Sequence, residues 1–263
     1  MCTVTVIPLT SRRRAPPPSG RAVAEGPGVR LACNRDELRT RPAAFPPAVR
    51  RFGERSAILP VDPQSGGTWI AASDAGLAFS LLNVNAAPGL DRAELESRPS
   101  RGLIIPALLP SDTLEVAVDA ASAIDAGRAR PFRLVIADRR AWAALRCDGR
   151  TIAYEGAGMI ERPVFFTTSG LGDQLVERPR RALFERMFAA SGDHVAAQDQ
   201  FHRHSWPDRP ELSVCMRRAD ARTVSLTIIE LRPEWASMSH VAGPPDETAA
   251  CVTLCLPLRP VAA

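Results

Sequence analysis

The sequence contains no lysine, because all 33 of its basic residues are arginine. These arginines are spread along the chain among 29 acidic residues, so the formal net charge is only +4. Proteins that bind nucleic acids usually gather their basic residues on one face or one element. We therefore expect no nucleic-acid partner, and we attribute the arginine content to a bias in composition.

The chain also lacks any apolar run that approaches the roughly 20 residues of a membrane-spanning helix. Near the N-terminus the arginines at 12–14 follow the short apolar segment 3–10, whereas in a signal peptide the positive charges come first. We expect no membrane span and a cytoplasmic location. Because 45% of the 263 residues are hydrophobic and no internal repeat is present, we expect a single domain over residues 1–263.

Neither cysteine nor histidine has the spacing of a metal site. The six cysteines form no C-x-x-C pair, and their positions indicate no disulfide framework. His202 and His204 are two residues apart, a spacing that suits no helical zinc pair. We predict no bound metal, and we interpret the two histidines as a solvent-exposed pair.

Hydrophobic patterns predict paired strands towards both ends of the chain, with two groups of helices between them. Alternating β-branched residues predict a strand over residues 3–9, and a second apolar run, 29–33, leads into the polar tetrapeptide 34–37. Apolar segments on both sides of the turn 74–76 predict a hairpin. This order is an α+β pattern without strict βαβ alternation, which disfavours a doubly wound parallel sheet.

Three further segments carry predictions of their own. Residues 39–60 are rich in proline and arginine and are predicted to be irregular surface structure. Residues 211–217 are predicted to form a strand. The arginines of the helix predicted over residues 179–190, Arg180 among them, are assigned to its solvent-facing side.

Cys2 is the candidate nucleophile. Methionine aminopeptidases remove Met1 when the second residue is small, and the cysteine would then carry a free α-amino group. The reference pKa of such an amine, about 7.7–8.0, makes it a proton acceptor near neutral pH. A thiol is also the side chain most nucleophilic at that pH. A single residue thus supplies both a nucleophile and a base.

An acyl-transfer site also needs a group that orients the amine and donors that hold an oxyanion. Asp36 can accept a hydrogen bond from the α-ammonium group or the thiol, and Arg35 has the fork geometry that binds a substrate carboxylate. The sequence has only three asparagines, Asn34, Asn83 and Asn85, and they cluster in two short stretches. Turn formation is the alternative role for Asn85.

Several separated motifs occur in a characteristic order: Met1-Cys2-Thr3, Asn34-Arg35-Asp36-Glu37, Gly66-Gly67-Thr68-Trp69 and Leu82-Asn83. Together they resemble the N-R-D-E family, which is the transport and Golgi organisation protein family. The resemblance implies an N-terminal-nucleophile hydrolase type of fold, which is shared by bile-salt hydrolases, penicillin acylases and acid-ceramidase-like amidases. The expected fold class is α+β, a four-layer αββα sandwich of two antiparallel sheets.

In those enzymes the N-terminal cysteine attacks a carboxamide. The resemblance implies that Cys2 is the nucleophile, that Asp36 orients it and that Asn83 helps to form the oxyanion hole. It implies substrate-binding positions at Asn34, Arg35, Trp69 and Thr168. The chain departs from the hydrolase pattern twice, because Cys33 stands where the hydrolases carry an arginine and Thr168 stands near the place of a further asparagine.

Two functions from different classes follow from the resemblance. The first is a hydrolase that cleaves a small carboxamide or acyl amide and needs no cofactor. The second is a non-catalytic protein that carries haem or an acyl-CoA in the same cleft, with Cys2 as a thiolate ligand to haem iron. A redox or damage-response role ranks last, because the sequence places no resolving cysteine beside Cys2.

Overall fold

The computed structural model describes residues 2–9 and 26–259. In this part of the chain thirteen strands form two antiparallel sheets. The strands are β1 (Cys2–Leu9), β2 (Gly28–Leu38), β3 (Phe45–Phe52), β4 (Arg55–Val61), β5 (Ile70–Ser73), β6 (Ala78–Asn83), β7 (Phe132–Ala137), β8 (Ala141–Cys147), β9 (Ile152–Met159), β10 (Val164–Thr167), β11 (Ala221–Leu231), β12 (Trp235–Val241) and β13 (Val252–Pro257). Sheet A has the order β10-β1-β2-β11-β12-β13, and sheet B runs from β3 to β9 in chain order.

Helices cover the outer face of each sheet. They are α1 (Arg92–Ser97), α2 (Ile104–Leu108), α3 (Leu114–Ser122), α4 (Asp173–Ala190) and α5 (His194–Arg203), with 3₁₀ turns at Arg101–Leu103 and Pro210–Leu212. Among the described residues, no helix is both long enough and apolar enough to cross a bilayer.

Three apolar layers hold the sheets and helices together. One lies between the two sheets and contains Val4, Leu31 and Ile70. The second lies between sheet B and helices α2 and α3, and the third between sheet A and helices α4 and α5. The architecture is therefore a four-layer αββα sandwich of the α+β class. Burial of apolar surface in these layers stabilises the fold by roughly 25 cal/mol per Å².

The face of sheet A that meets helices α4 and α5 is unusually polar. His202 is 1% exposed and lies between the Thr5 hydroxyl, 2.7 Å from its Nε2, and the Asn34 carboxamide oxygen, 3.1 Å from its Nδ1. Arg30 donates to the side-chain oxygen of Gln198 at 2.6 Å. The prediction that His202 is solvent-exposed was wrong, because helix α5 turns its polar residues towards polar strands.

Arg180 is also buried, contrary to its assignment to a solvent-facing side. It is 1% exposed, and its Nη1 donates to the hydroxyls of Thr3 at 2.7 Å and Thr167 at 2.9 Å. Its Nε donates to the Leu212 carbonyl oxygen at 3.0 Å. These bonds fix segment 210–216 over helix α4, so residues 211–217 form a 3₁₀ turn and a loop where a strand was predicted.

Residues 39–60 are not irregular, because they contain β3 and most of β4. Strand β3 lies at the edge of sheet B, where proline is tolerated since one side of the strand needs no ladder donors. Pro46 and Pro47 fall where the register with β4 shifts, between Phe45 and Ala48. Proline content alone therefore gave the wrong prediction for an edge strand.

Candidate active site

The tetrapeptide 34–37 lies inside strand β2. Strand β2 pairs with β1 so that Cys2 is opposite Arg35 and Thr3 is opposite Asn34. Side chains alternate between the two faces of a strand. Arg35 therefore shares the face of Cys2, towards sheet B, whereas Asn34 points towards the helices.

A pocket of about 180 Å³ opens over Cys2. Strands β1 and β2 form one wall, β6 contributes another, and the loops before β5 and around the 3₁₀ turn Arg101–Leu103 close it. Charged and polar side chains dominate its lining: Cys2, Arg35, Asp36, Glu37, Arg41, Asp62, Asn83, Arg101 and Arg130 are among its residues. The pocket is smaller than the roughly 300–1,000 Å³ of sites that take drug-sized ligands.

Cys2 is 4% exposed at the base of this pocket. The Cys33 thiol lies diagonally across from it, since Cys33 is opposite Val4 in the register. A hydrogen-bonding interaction with the Cys33 thiol lowers the pKa of Cys2, against the effect of burial. The same interaction, together with burial, raises the pKa of Cys33. Of the two thiols, Cys2 therefore ionises more readily, and Cys33 stays protonated as the hydrogen-bond donor.

Cys33 thus occupies the position where the hydrolase pattern has an arginine, and it supplies a proton donor in place of a charge. Its sulfur has a second, weaker acceptor in the Asn34 carbonyl oxygen at 3.7 Å. The expectation that no cysteine stands beside Cys2 was wrong. Because side chains alternate along β2, Cys33 lies on the same face of the sheet as Cys2. This proximity depends on the register between β1 and β2, which the sequence alone does not give.

Asp36 lies one position beyond Arg35 and is 3% exposed. Its Oδ1 accepts a hydrogen bond of 2.6 Å from the Thr223 hydroxyl. Burial raises the pKa of Asp36, and the positive charge of Arg180 opposes this effect. Asp36 also lowers the acidity of Cys2 by its own negative charge, which indicates that the two groups are electrostatic neighbours.

Arg35 is held against the pocket wall and does not project freely into it. Its guanidinium carbon lies 4.2 Å from the centre of the Trp69 ring, a cation–π geometry. Its Nη2 forms an ion pair with Asp62, and Arg41 donates to the same carboxylate at 2.8 Å. Burial would raise the pKa of Asp62, but the hydrogen bonds from Arg41 and the Ser65 backbone and the charge of Arg35 lower it to about 2.

Of the other predicted site residues, Asn83 and Trp69 line the pocket, whereas Asn34 and Thr168 do not. Asn83 is half-buried at the end of β6. The Asn34 amide nitrogen donates to the carbonyl oxygens of His202 and Val214, on the helix side of sheet A, so we no longer assign Asn34 to substrate binding.

Thr168 lies beside Cys2, and its backbone N–H donates to the Cys2 carbonyl oxygen at 3.1 Å. Its hydroxyl is buried and has no hydrogen-bond partner among the described residues. Thr168 therefore fixes the backbone of the candidate nucleophile, and it does not form a wall of the pocket. The roles of Cys2, Asp36 and Asn83 remain predictions, now with a shared location.

Sequence reasoning missed Asp62, Arg101 and Arg130 as pocket residues. A signal for Asp62 was present, because Asp-Pro-x-Ser-Gly is typical of a turn in which the aspartate accepts backbone N–H groups. Its Oδ1 accepts from the N–H groups of Gln64 and Ser65, both at 3.0 Å. Arg101 and Arg130 stand among many other arginines, and no local pattern distinguishes them.

The residues present do not fit a haem or a long acyl chain. Such groups need a large apolar slot, whereas the pocket over Cys2 is small and lined by charged groups. Among the described histidines, only His240 has its ring near a residue of this pocket and could be considered as a haem ligand. Its ring centre lies 6.4 Å from that of Trp69. Its Nδ1 is engaged with the Thr227 hydroxyl at 2.8 Å.

Comparison with solved structures identifies the class to which this fold belongs. A Caenorhabditis elegans N-acylethanolamine-hydrolyzing acid amidase ortholog matches 86% of the chain and 92% of its own length, with a TM-score of 0.53 and 12% identity. Penicillin V acylase from Agrobacterium tumefaciens matches 89% of the chain and 82% of its own, with a TM-score of 0.45 and 13% identity. The first of these matches shows that the fold is that of the N-terminal-nucleophile hydrolases.

The family model of Transport and Golgi organisation 2 matches residues 29–201. The chain therefore belongs to the Transport and Golgi organisation 2 family, as the motifs of its first 85 residues predicted. No curated protein matches the sequence.

Proposed function

We propose that this protein is an N-terminal-cysteine amidohydrolase that acts on a small carboxamide or acyl amide. The observation that carries the proposal is the position of Cys2, whose thiol lies at the base of a polar pocket beside a second thiol that favours its ionisation. The hydrolase-type fold supports the proposal, since a nucleophile at the start of β1 is where that class carries it.

The strand register supports a role for Asp36 in holding the α-amine. Cys2 is opposite Arg35, so Asp36 directly follows the partner of Cys2 on β2. Met1 lies outside the described residues. We infer that removal of Met1 leaves the α-amine of Cys2 facing Asp36, and that the buried carboxylate orients this amine as an acceptor for the thiol proton.

The reaction then has two halves. The α-amine takes the proton of Cys2, and the sulfur forms a bond to the amide carbon while Asn83 donates to the developing oxyanion. The carbon–nitrogen bond breaks, and the leaving nitrogen takes the proton from the α-ammonium group. Water, deprotonated by the same amine, attacks the thioester, which releases the carboxylic acid and restores the thiol.

The proposal is tested first by the mass of the purified protein. We expect loss of Met1, because a retained methionine would block the amine and the mechanism would fail. Peptide mapping after brief iodoacetamide treatment at pH 7 should find Cys2 labelled ahead of the other five cysteines.

A matched pair of variants separates catalysis from general thiol chemistry. Cys2→Ala should abolish hydrolysis of a panel of short-chain amides, whereas Cys251→Ala, which removes an exposed thiol, should retain it. Activity that survives Cys2→Ala would refute the nucleophile assignment. A stable mass increase of one acyl group on Cys2 during turnover would identify the intermediate directly.

A further inference from the structure

The acidic groups of the pocket are already engaged by neighbouring residues. Asp62 is shared by Arg35 and Arg41, as described above. Glu37 accepts from its neighbour's backbone N–H at 3.0 Å and lies 3.6 Å from Arg35 and 3.5 Å from Arg41. Arg35 and Arg41 are therefore matched by two carboxylates, and their charges are compensated within the protein.

Two further arginines line the same pocket without such compensation. Arg101 donates from Nη1 to the Pro131 carbonyl oxygen at 2.8 Å. Arg130 donates from Nε to the Arg98 carbonyl oxygen at 2.9 Å and from Nη2 to that of Glu96. Within the described part of the chain, neither forms an ion pair with a carboxylate. Backbone carbonyls orient both guanidinium groups, and no described carboxylate is in direct contact with either of them.

Burial, and then the charge of Arg130, lowers the pKa of Arg101 to about 10, so Arg101 is still protonated at neutral pH. The thiolate of Cys2 and Glu37 act in the opposite direction on the same group, which indicates that Arg101 lies in the electrostatic neighbourhood of the nucleophile. A like-charged pair that is half-buried is costly unless an anion joins it. The protein therefore holds a positive site that its own residues do not fill.

Close packing of two glycines brings Arg101 to this place. A Cβ atom on Gly67 would lie 2.4 Å from the carbonyl carbon and oxygen of Gly102, so only glycine permits the contact. Thr68 donates its backbone N–H to the Gly102 carbonyl oxygen at 2.9 Å. The loop that precedes β5 and the 3₁₀ turn that carries Arg101 are thus fixed to each other at the pocket rim.

We propose that Arg101 and Arg130 form an anion subsite, and that the substrate cleaved at Cys2 is a small amide that carries a carboxylate. The cavity of about 180 Å³ is large enough for a short acid, and its charged lining disfavours a long apolar chain. Guanidinium groups bind carboxylates by paired, charge-assisted hydrogen bonds. This inference rests on the proposed function for the identity of the reaction, but the subsite itself is testable without turnover.

Binding is measured by calorimetry with malonate, succinate and glutarate, each against its neutral diamide. We expect at least one dicarboxylate to bind about tenfold more tightly than its diamide, since hydrogen bonds between charged groups are stronger than those between neutral groups. Arg101→Gln and Arg130→Gln should each remove this preference. Arg51→Gln should keep it, because Arg51 is 69% exposed on edge strand β3.

Thermal unfolding of each variant shows whether it is folded. If one of the two arginine variants fails to fold, the other still tests the subsite. Equal binding of acids and diamides by the wild-type protein would overturn the subsite. A preference that persists in both glutamine variants would assign the anion to other residues, and would overturn it equally.

Two pairs of amides decide on which side of the scissile bond the carboxylate lies. Glutaramic acid and pentanediamide differ in charge on the acyl side, whereas N-acetylglycine and N-acetylglycinamide differ on the amine side. We expect kcat/KM to be about tenfold higher for the charged member of one pair, and to fall in Arg101→Gln. Dicarboxylate binding without hydrolysis of any member would retain the subsite and refute the proposed function.

Discussion

Replacing His202 by glutamine should make the stability of the protein less dependent on pH. The surrounding bonds specify a neutral ring. Thr5 donates its hydroxyl proton to Nε2, and Nδ1–H donates to the Asn34 oxygen, because the Asn34 nitrogen already donates to two backbone carbonyls. A second ring proton would face a hydroxyl that also accepts from Gln198 at 2.8 Å.

Burial, and next the charge of Arg30, lowers the pKa of His202 to about 3, from an ordinary value of 6.5. The unfolded chain therefore binds a proton below about pH 6.5, whereas the folded protein does not until about pH 3. The free energy of unfolding must fall as the pH falls through this window. With about 1.4 kcal/mol for each pH unit, His202 accounts for a loss of about 2 kcal/mol between pH 7 and pH 5.

The measurement is urea unfolding at pH 7, 6 and 5. His202→Gln should be less stable than the wild type at pH 7 by about 1–3 kcal/mol, because the Asn34 oxygen loses its donor. It should then lose about 2 kcal/mol less than the wild type on going to pH 5. His194→Gln, on the same helix, retains His202 and should keep the wild-type slope. Equal slopes in wild type and His202→Gln would refute the buried neutral ring.

Two other substitutions test the pocket. Cys33→Ala should raise the pKa of Cys2, so the pH at which iodoacetamide labels Cys2 at half its maximal rate should move upwards; an unchanged profile would remove Cys33 from that role. Gly67→Ala should lower the free energy of unfolding by about 1–3 kcal/mol in urea, because its Cβ meets the backbone of Gly102. Gly192→Ala, which has nothing within 4 Å, is the control and should leave stability nearly unchanged.

The sequence was informative where local pattern and final environment agree. The strand at 3–9 and the hairpin around the turn at 74–76 were predicted because alternation and a glycine turn are local signals, and Gly76 indeed has a φ of +78°. The family motifs predicted the four-layer fold. Cys2, Asp36 and Asn83 come from distant parts of the chain, and the structure brings all three to one pocket.

The wrong predictions for His202 and Arg180 have a shared physical cause, which is that polar residues were assumed to face water. His202, Arg180 and Gln198 are buried because strands β1 and β2 present hydroxyls, an amide and a guanidinium on their outer face. Helices that pack on such a face must bring matching polar groups. The proximity of Cys33 to Cys2 was missed for a different reason. It results from the pairing of β1 with β2, and the two residues are far apart in the sequence.

Strand β1 has two faces that are not interchangeable. Cys2 and Val4 face sheet B, whereas Thr3 and Thr5 are engaged by Arg180, Gln198 and His202 on the other side. If β1 shifted by one residue against β2, the hydroxyls of Thr3 and Thr5 would point into the apolar layer between the sheets. Their hydrogen-bond partners on the helix side would then lose these contacts. The helix side of the molecule therefore fixes the position of the Cys2 sulfur in the pocket, so substitutions there should impair the proposed hydrolysis although they contact no part of the pocket.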